Sequence, residues 1–245
     1  MYSWKYFAGR IFEKAGYRVI REDRLPRCTV NLFSLGANLI FSRHATDSPI
    51  VIFQVGAFDG CLSDALEPIL SKTGSYKAVL VEPQPSAFES MHRRYKGRAD
   101  LICENCAVAD KDGEVILFTS PSTSTPFASI LKSQRKRVAL EVGSVLELKV
   151  PALTARSLLA KHSLDHVDIL MIDTEGYDYQ VLLQFLQGCK RIPKLIQLES
   201  HHLERADRIE LRRTLAENDY DFIDAGQDTV CFHRSCFCIN HYNPK

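Results

Sequence analysis

The sequence predicts a doubly wound α/β fold on a mainly parallel sheet, and two observations carry that reading. From about residue 50 onward, short apolar runs alternate with helical patterns. Four polar residues, Gly56, Glu82, Asp173 and Glu199, each close one of those runs, which is where open α/β sheets hold their ligands. A chain of 245 residues suits one large domain, or one domain with a small appendage.

The first residues follow a different pattern. Trp4, Phe7, Ile11, Phe12 and Ala15 recur at helical spacing, and a second helical pattern runs from Val30 to Phe41. We read residues 1–48 as a helical N-terminal cap; a substrate lid, a homodimer contact and a membrane-surface helix are its other readings. The core is expected over 49–245. Ile50 to Val55 is a buried strand that ends in glycine, and Cys61 to Leu70 is a helix. Tyr76 to Val81 is a second strand, stopped by Glu82-Pro83. A helix from Ser86 to Tyr95 follows, with Ser86 as N-cap, then a strand from Leu101 to Cys103. Asp112-Gly113 signals a hairpin, and Glu114 to Phe118 is the strand leaving it.

The alternation breaks over about 119–150, which reads as an insertion. It holds a Ser/Thr/Pro loop at 120–126, a basic helical stretch from Ala128 to Val138, and an added strand from Val145 to Val150. The rhythm resumes with a helix from Thr154 to His162, a buried strand from Val167 to Ile172 and a helix from Tyr177 to Leu186. Lys194 to Leu198 is the next strand, Leu203 to Asn218 a charged helix, and Phe222–Asp224 with Val230–Phe232 a closing antiparallel pair.

Bulk properties exclude several classes. A formal net charge of +1 gives no electrostatic footprint for nucleic acid. No apolar run approaches the roughly 18–20 residues that cross a bilayer, so no transmembrane segment is expected. The N-terminus lacks a signal-peptide pattern, so a cytoplasmic location and free thiols are expected for the 8 cysteines. Cys103-x-x-Cys106 and Cys236-x-Cys238 hint at zinc, but the second pair lacks the usual ligand spacing.

Gly56-x-x-x-Gly60 joins the first strand to its helix, and glycines there let the backbone turn tightly beside a ligand. Glu82 ends the second strand about 22 residues later, where an acid accepts hydrogen bonds from both ribose hydroxyls of an adenosine. The pair points to an adenosine cofactor and leaves the reaction open. A dinucleotide favours Gly-x-Gly-x-x-Gly around its pyrophosphate. Here the middle glycine is missing and Asp59 stands in the turn, which favours the cationic S-adenosylmethionine over a nicotinamide cofactor.

Four motifs then occur in order: Phe53-Gln54-Val55-Gly56-Ala57-Phe58-Asp59-Gly60; Val81-Glu82-Pro83-Gln84-Pro85; Asn105-Cys106-Ala107-Val108-Ala109-Asp110-x-x-Gly113; and Asp168-Ile169-Leu170-Met171-Ile172-Asp173-Thr174-Glu175-Gly176. Together they resemble the FkbM-type family of class I S-adenosylmethionine-dependent methyltransferases, over about residues 50–200. The resemblance implies a Rossmann-like sheet of seven strands with the last antiparallel, and O-methylation of a sugar, glycan or other hydroxylated metabolite. It also implies a cofactor site of Gln54, Gly56, Ala57, Phe58, Asp59, Gly60, Glu82, Pro83, Asn105, Cys106, Ala107 and Asp173. Gly56 and Asp59 would lie beside the methionine part, Glu82 would hold the ribose, and Asn105, Cys106 and Ala107 would border the adenine. Family members commonly carry Asn where Phe58 stands.

Methyl transfer to oxygen needs alignment and a base near the acceptor hydroxyl. Asp173, Glu175, His201 and His202 are the catalytic candidates at the later strand ends, a neutral histidine suiting the base role. A cation held by Asp173, Glu199 and His201 is the alternative to a metal-free site. The basic cluster Lys132, Arg135, Lys136 and Arg137 reads as a solvated helix face or as a site for an anionic acceptor. A nicotinamide-dependent oxidoreductase and a non-catalytic cofactor-binding scaffold are the competing functions.

Overall fold

Seven strands make the main sheet of the computed structural model, which describes residues 31–44, 48–60, 66–70, 75–120 and 127–237. The core strands are β1 (Ile50–Val55), β2 (Tyr76–Val81), β3 (Leu101–Glu104), β8 (Ile169–Ile172), β9 (Leu195–Glu199), β10 (Tyr220–Ala225) and β11 (Asp228–His233). Their order is β10-β11-β9-β8-β1-β2-β3. All neighbours pair in parallel except β11, which runs antiparallel between β9 and β10. This is the expected doubly wound sheet with its last strand reversed. Strand order turns around at β1 and β8, so the β1, β2 and β8 ends open a crevice.

Side chains alternate across each strand, and the alternation sorts the core into two layers. Ile50 and Ile52 face one side, with Ala78, Leu80, Ile169 and Met171. Helices α1 (Leu32–Arg43) and α3 (Pro85–Arg94) cover that side through Phe33, Ala37, Ile40 and Met91. Val51, Phe53 and Val55 face the other side, with Val79, Leu170, Ile172, Ile196 and Leu198. Helices α5 (Ala155–Lys161), α6 (Asp178–Gly188) and α7 (Arg205–Glu217) cover it through Leu158, Leu182, Phe185, Leu211 and Leu215. Gly36 lets α1 lie close to the sheet, because a Cβ there would sit 2.9 Å from a methyl of Leu195.

A second, smaller sheet has the order β4-β7-β5-β6, from β4 (Ala107–Val108), β5 (Gly113–Thr119), β6 (Ala128–Ser129) and β7 (Leu146–Leu153). A one-turn 3-10 helix, Lys132–Gln134, leads into α4 (Arg135–Val142). The strands of this accessory sheet therefore begin before 119. Asp112-Gly113 does not close a hairpin, because β7 lies between β4 and β5. Asp112 instead accepts from the Thr154 amide at 2.7 Å and the Ser157 hydroxyl at 2.6 Å, anchoring the start of α5. Thr154 caps that helix. Ser86 is not an N-cap: Gln84 holds that place without a side-chain bond, and Pro85, with its preset φ, opens the helix. Of the helix expected from Cys61, only α2 (Glu67–Leu70) is described. The Trp4–Ala15 pattern and the 121–126 part of the Ser/Thr/Pro loop lie outside the described residues. Among them, no helix is long and apolar enough to cross a membrane.

Candidate active site

A cleft opens at the ends of β1, β2 and β8, where an open α/β sheet holds its ligand. Val55, Gly56 and Phe58 line it from the first turn, Glu82, Pro83 and Gln84 from the second, and Asp173, Thr174, Glu175 and Tyr177 from the fourth core strand. Cys106, Ala107, Val108, Leu117, Ala128 and Ile130 form an apolar wall, part of it contributed by the accessory sheet.

The first turn is built by backbone constraints. Gly56 has φ 82°, and a Cβ there would lie 1.7 Å from the Asp173 carbonyl oxygen, so no other residue fits. Gly60 has φ 73°, and a Cβ there would press on the Tyr95 ring, whose hydroxyl donates to the Gly60 carbonyl. Phe58 takes φ 46°, a left-handed conformation that asparagine adopts far more readily than phenylalanine. The amides of the turn are already engaged: Gly56 and Ala57 donate to the Val81 carbonyl, Gly60 to the Ala57 carbonyl, and Phe58 to a Glu82 carboxylate oxygen at 2.8 Å. These groups are therefore not free to cradle a pyrophosphate.

Glu82 is the hinge of the second turn. It is 3% exposed, accepts from the Phe58 amide through Oε2 and from the Gln84 amide through Oε1, and still lines the cleft. Burial pushes its carboxyl up to about 7 against the pull of those two amides. Each carboxylate oxygen has a second lone pair to offer a ligand. Asn105 does not line the cleft; its amide nitrogen donates to the Glu82 carbonyl at 2.8 Å and fixes this turn.

The fourth strand end carries the charge. Asp173 opens to the cleft, while protein crowds its other sides. That desolvation, then the charges of Glu199, Asp178, Glu175 and Asp228, raise its carboxyl above the usual range. Asp178 is fully buried and accepts from the Thr174 and Gly176 amides at 3.1 and 3.0 Å. Burial and Glu199 push it up to about 7.

Several expected residues stand elsewhere. Gln54 lies on the α1–α3 side of β1 by strand alternation, and Ala57 and Gly60 support the turn from outside the cleft lining. The turn carries Asp59 to a separate shallow recess with Ser90, Arg93 and Arg94, so it does not face the cleft. His201 is exposed, edge-on to His202, and absent from the cleft lining. His202 is not a free neutral base. Its Nδ1 lies 2.8 Å from Glu199 Oε1 and 3.1 Å from Glu175 Oε2, and Arg137 covers its Nε2 at 3.2 Å. The two carboxylates raise the imidazole's affinity for protons. Both ring nitrogens face protein groups, so neither is open to an acceptor.

Among the described residues, Glu175, Glu199 and His202 bring ligand atoms within 4.8 Å of one another, rather than Asp173, Glu199 and His201. A guanidinium already bonds two of these three, and that counter-charge competes with a metal ion. Cys106 lines the cleft with its thiol pushed up to about 12 by burial, so it is a wall and not a nucleophile. The basic cluster splits: Arg135 pairs with Glu147 in solvent, Lys132 and Lys136 are exposed, and Arg137 turns inward. Cys106 and Ala107 line the cleft where the resemblance put them, whereas Gln84, Tyr177, Leu117, Ala128 and Ile130 reach it only through the fold.

The family model described as the Methyltransferase FkbM domain matches residues 54–222, well over half of the chain. Similar solved structures include a methyltransferase FkbM from Methylobacillus flagellatus KT, at 14% identity over 77% of this chain and 44% of that one, with a TM-score of 0.49. Aeropyrum pernix fibrillarin, in complex with natively bound S-adenosyl-L-methionine, aligns at 11% identity over 81% of this chain and 72% of that one, with a TM-score of 0.40. The chain thus spans less than half the length of the first of these. No curated protein matches the chain. With the family model covering both strand-end turns and the whole Asp173–Gly176 element, the chain belongs to the FkbM methyltransferase family, a family of S-adenosylmethionine-dependent methyltransferases.

Proposed function

We propose that this chain binds S-adenosylmethionine in the cleft and transfers its methyl group to a hydroxyl of a sugar, glycan or other hydroxylated metabolite. The observation that carries the reading is Glu82: a buried carboxylate held by two amides beside a turn in which the Gly56, Ala57, Phe58 and Gly60 N–H groups are engaged. Such a turn suits an adenosine without a pyrophosphate, which weighs against the nicotinamide reading. The rest of the cleft fits the same ligand. The apolar wall from Cys106 to Ile130 suits an adenine ring, and Asp173 gives negative charge for a sulfonium and an ammonium.

When bound, the cofactor supplies an electrophilic methyl carbon on sulfur. The chain's task is alignment and proton removal. Holding acceptor and methyl group in line contributes up to roughly 7–11 kcal/mol in well-oriented systems. Asp173 is the base we assign. It opens to the cleft, and its raised proton affinity suits taking a hydroxyl proton as the methyl leaves sulfur. Glu82 would accept from the ribose hydroxyls, and Asn105 would hold the backbone that presents it.

Calorimetric titration of the full chain with S-adenosylmethionine tests the reading. Glu82→Ala should weaken binding about tenfold or more, the value of one or two charge-assisted hydrogen bonds. Wild-type affinity in that variant, or no binding by the wild type, rejects the assignment.

A further inference from the structure

One accessory side chain reaches into the strand-end cluster. Arg137, on α4, donates from Nη2 to Glu175 Oε2 at 2.7 Å and to the Glu175 carbonyl at 3.4 Å. Its Nη1 meets His202 Nε2 at 3.2 Å, and its Nε donates to Gln134 Oε1 at 2.8 Å. Gln134 in turn donates to the His202 carbonyl at 3.3 Å. We propose that Arg137 is the positioning residue of the reacting end: it fixes Glu175 and His202 as one unit, so that Asp173 is the carboxyl left to face cofactor and acceptor. The inference rests on the methyltransferase reading of the cleft.

Three features argue for it. Glu175 sits at φ 57°, a conformation a side-chain-bearing residue holds only when its surroundings over-determine it. Arg137 grips that residue at both its carbonyl and its carboxylate, while Asp178 holds the amides on either side. Second, the place is cleared for the accessory segment. Gly176 has no Cβ, and one there would lie 2.9 Å from the Gln134 amide nitrogen. Third, the guanidinium sends its three nitrogens to different acceptors, a fork that lysine lacks. Its side chain is 19% exposed, against 55% for Arg135 on the same helix.

The groups that face Asp173 are Glu199, Asp178, Glu175 and Asp228, with Arg137 and His202 acting on it through Glu175 and Glu199. A cationic cofactor favours ionised Asp173, so binding should tighten as pH rises, and the midpoint of that rise reports the cluster. The experiment is calorimetric titration of the full chain with S-adenosylmethionine across pH, for wild type, Arg137→Met and Arg137→Lys. Released from its counter-charge, Glu175 should move the midpoint up by about half a pH unit or more in Arg137→Met. The lysine variant should fail to restore the wild-type midpoint. An unmoved midpoint in a folded Arg137→Met variant overturns the proposal, as does full restoration by lysine. Should Arg137→Met not fold, Glu175→Gln replaces it: the midpoint should fall, and an unchanged one overturns the proposal. A wild type that binds no S-adenosylmethionine defeats the reading of the cleft instead. The clamp itself is then judged on the free protein: nitrogen resonances of the His202 ring that do not move in Arg137→Met overturn it.

Discussion

Strand β8 is flanked by an aspartate at each end, and the two have opposite surroundings. Asp168, at the amino end, bonds Lys194 at 2.7 Å and the Val51 amide at 2.9 Å, with His166 at 3.6 Å. Burial alone would raise its carboxyl, but the Lys194 bond, the amide and the nearby positive charges outweigh it and hold it below the usual range. Asp173, at the carboxyl end, is exposed on the cleft side, and desolvation by the protein together with the charges of Glu199, Asp178, Glu175 and Asp228 moves its carboxyl the other way. The same residue type five positions apart is a satisfied structural pair at one pole and a frustrated acid at the other. Such frustration persists where it is used, and here it coincides with the cleft.

The comparison breaks most readily at the glycine that sets the cleft. Gly56→Ala would drive a Cβ into the Asp173 carbonyl at the carboxyl pole. We expect a loss of roughly 3 kcal/mol or more, read as a fall in melting temperature together with lost cofactor binding. The two aspartates should then separate stability from function. Asp168→Ala leaves Lys194 and the Val51 amide without their partner, costing about 2–3 kcal/mol by urea denaturation after allowing for the partly exposed lysine. Its cofactor affinity should be unchanged. Asp173→Asn should do the reverse. Folding raises the proton affinity of Asp173, so the stability this residue gives is complete below its unfolded pKa and is lost as pH rises through its folded one. The asparagine variant should therefore match the wild type in acid and exceed it at alkaline pH, in melting experiments run at both. The smallest effect belongs to Arg135→Ala. Its exposed pair with Glu147 should contribute within about 0.5 kcal/mol, in contrast to Arg137 two residues on.

Strand ends were legible in the sequence because a buried parallel strand is a plain apolar run, and its first polar residue marks the ligand side. Gly56, Glu82, Asp173 and Glu199 were singled out that way; the first three line the cleft, and Glu199 instead bonds His202 away from the lining. What failed needed knowledge of side-chain direction. Asp59 lies within the turn motif, yet the left-handed Phe58 and the Ala57–Gly60 bond send it outward. Gln54 belongs to the motif and points into a helix layer. His202 looked like a free imidazole because two of its partners, Glu175 after β8 and Arg137 on α4, are far from it in sequence, and only Glu199 is local. Arg137 was hidden in a basic run whose other members face solvent. The accessory sheet was not legible as a sheet, because its first strand, Ala107–Val108, is only two residues long and has no periodicity to detect.

The central claim is that the frustrated pole holds a cationic adenosine cofactor. Calorimetric titration with S-adenosylmethionine as a function of pH, for wild type and Asp173→Asn, tests it most directly. The account predicts saturable wild-type binding that tightens as pH climbs towards about 9, and a flatter profile in the variant. No binding by the wild type, or the same pH profile in both proteins, would contradict it.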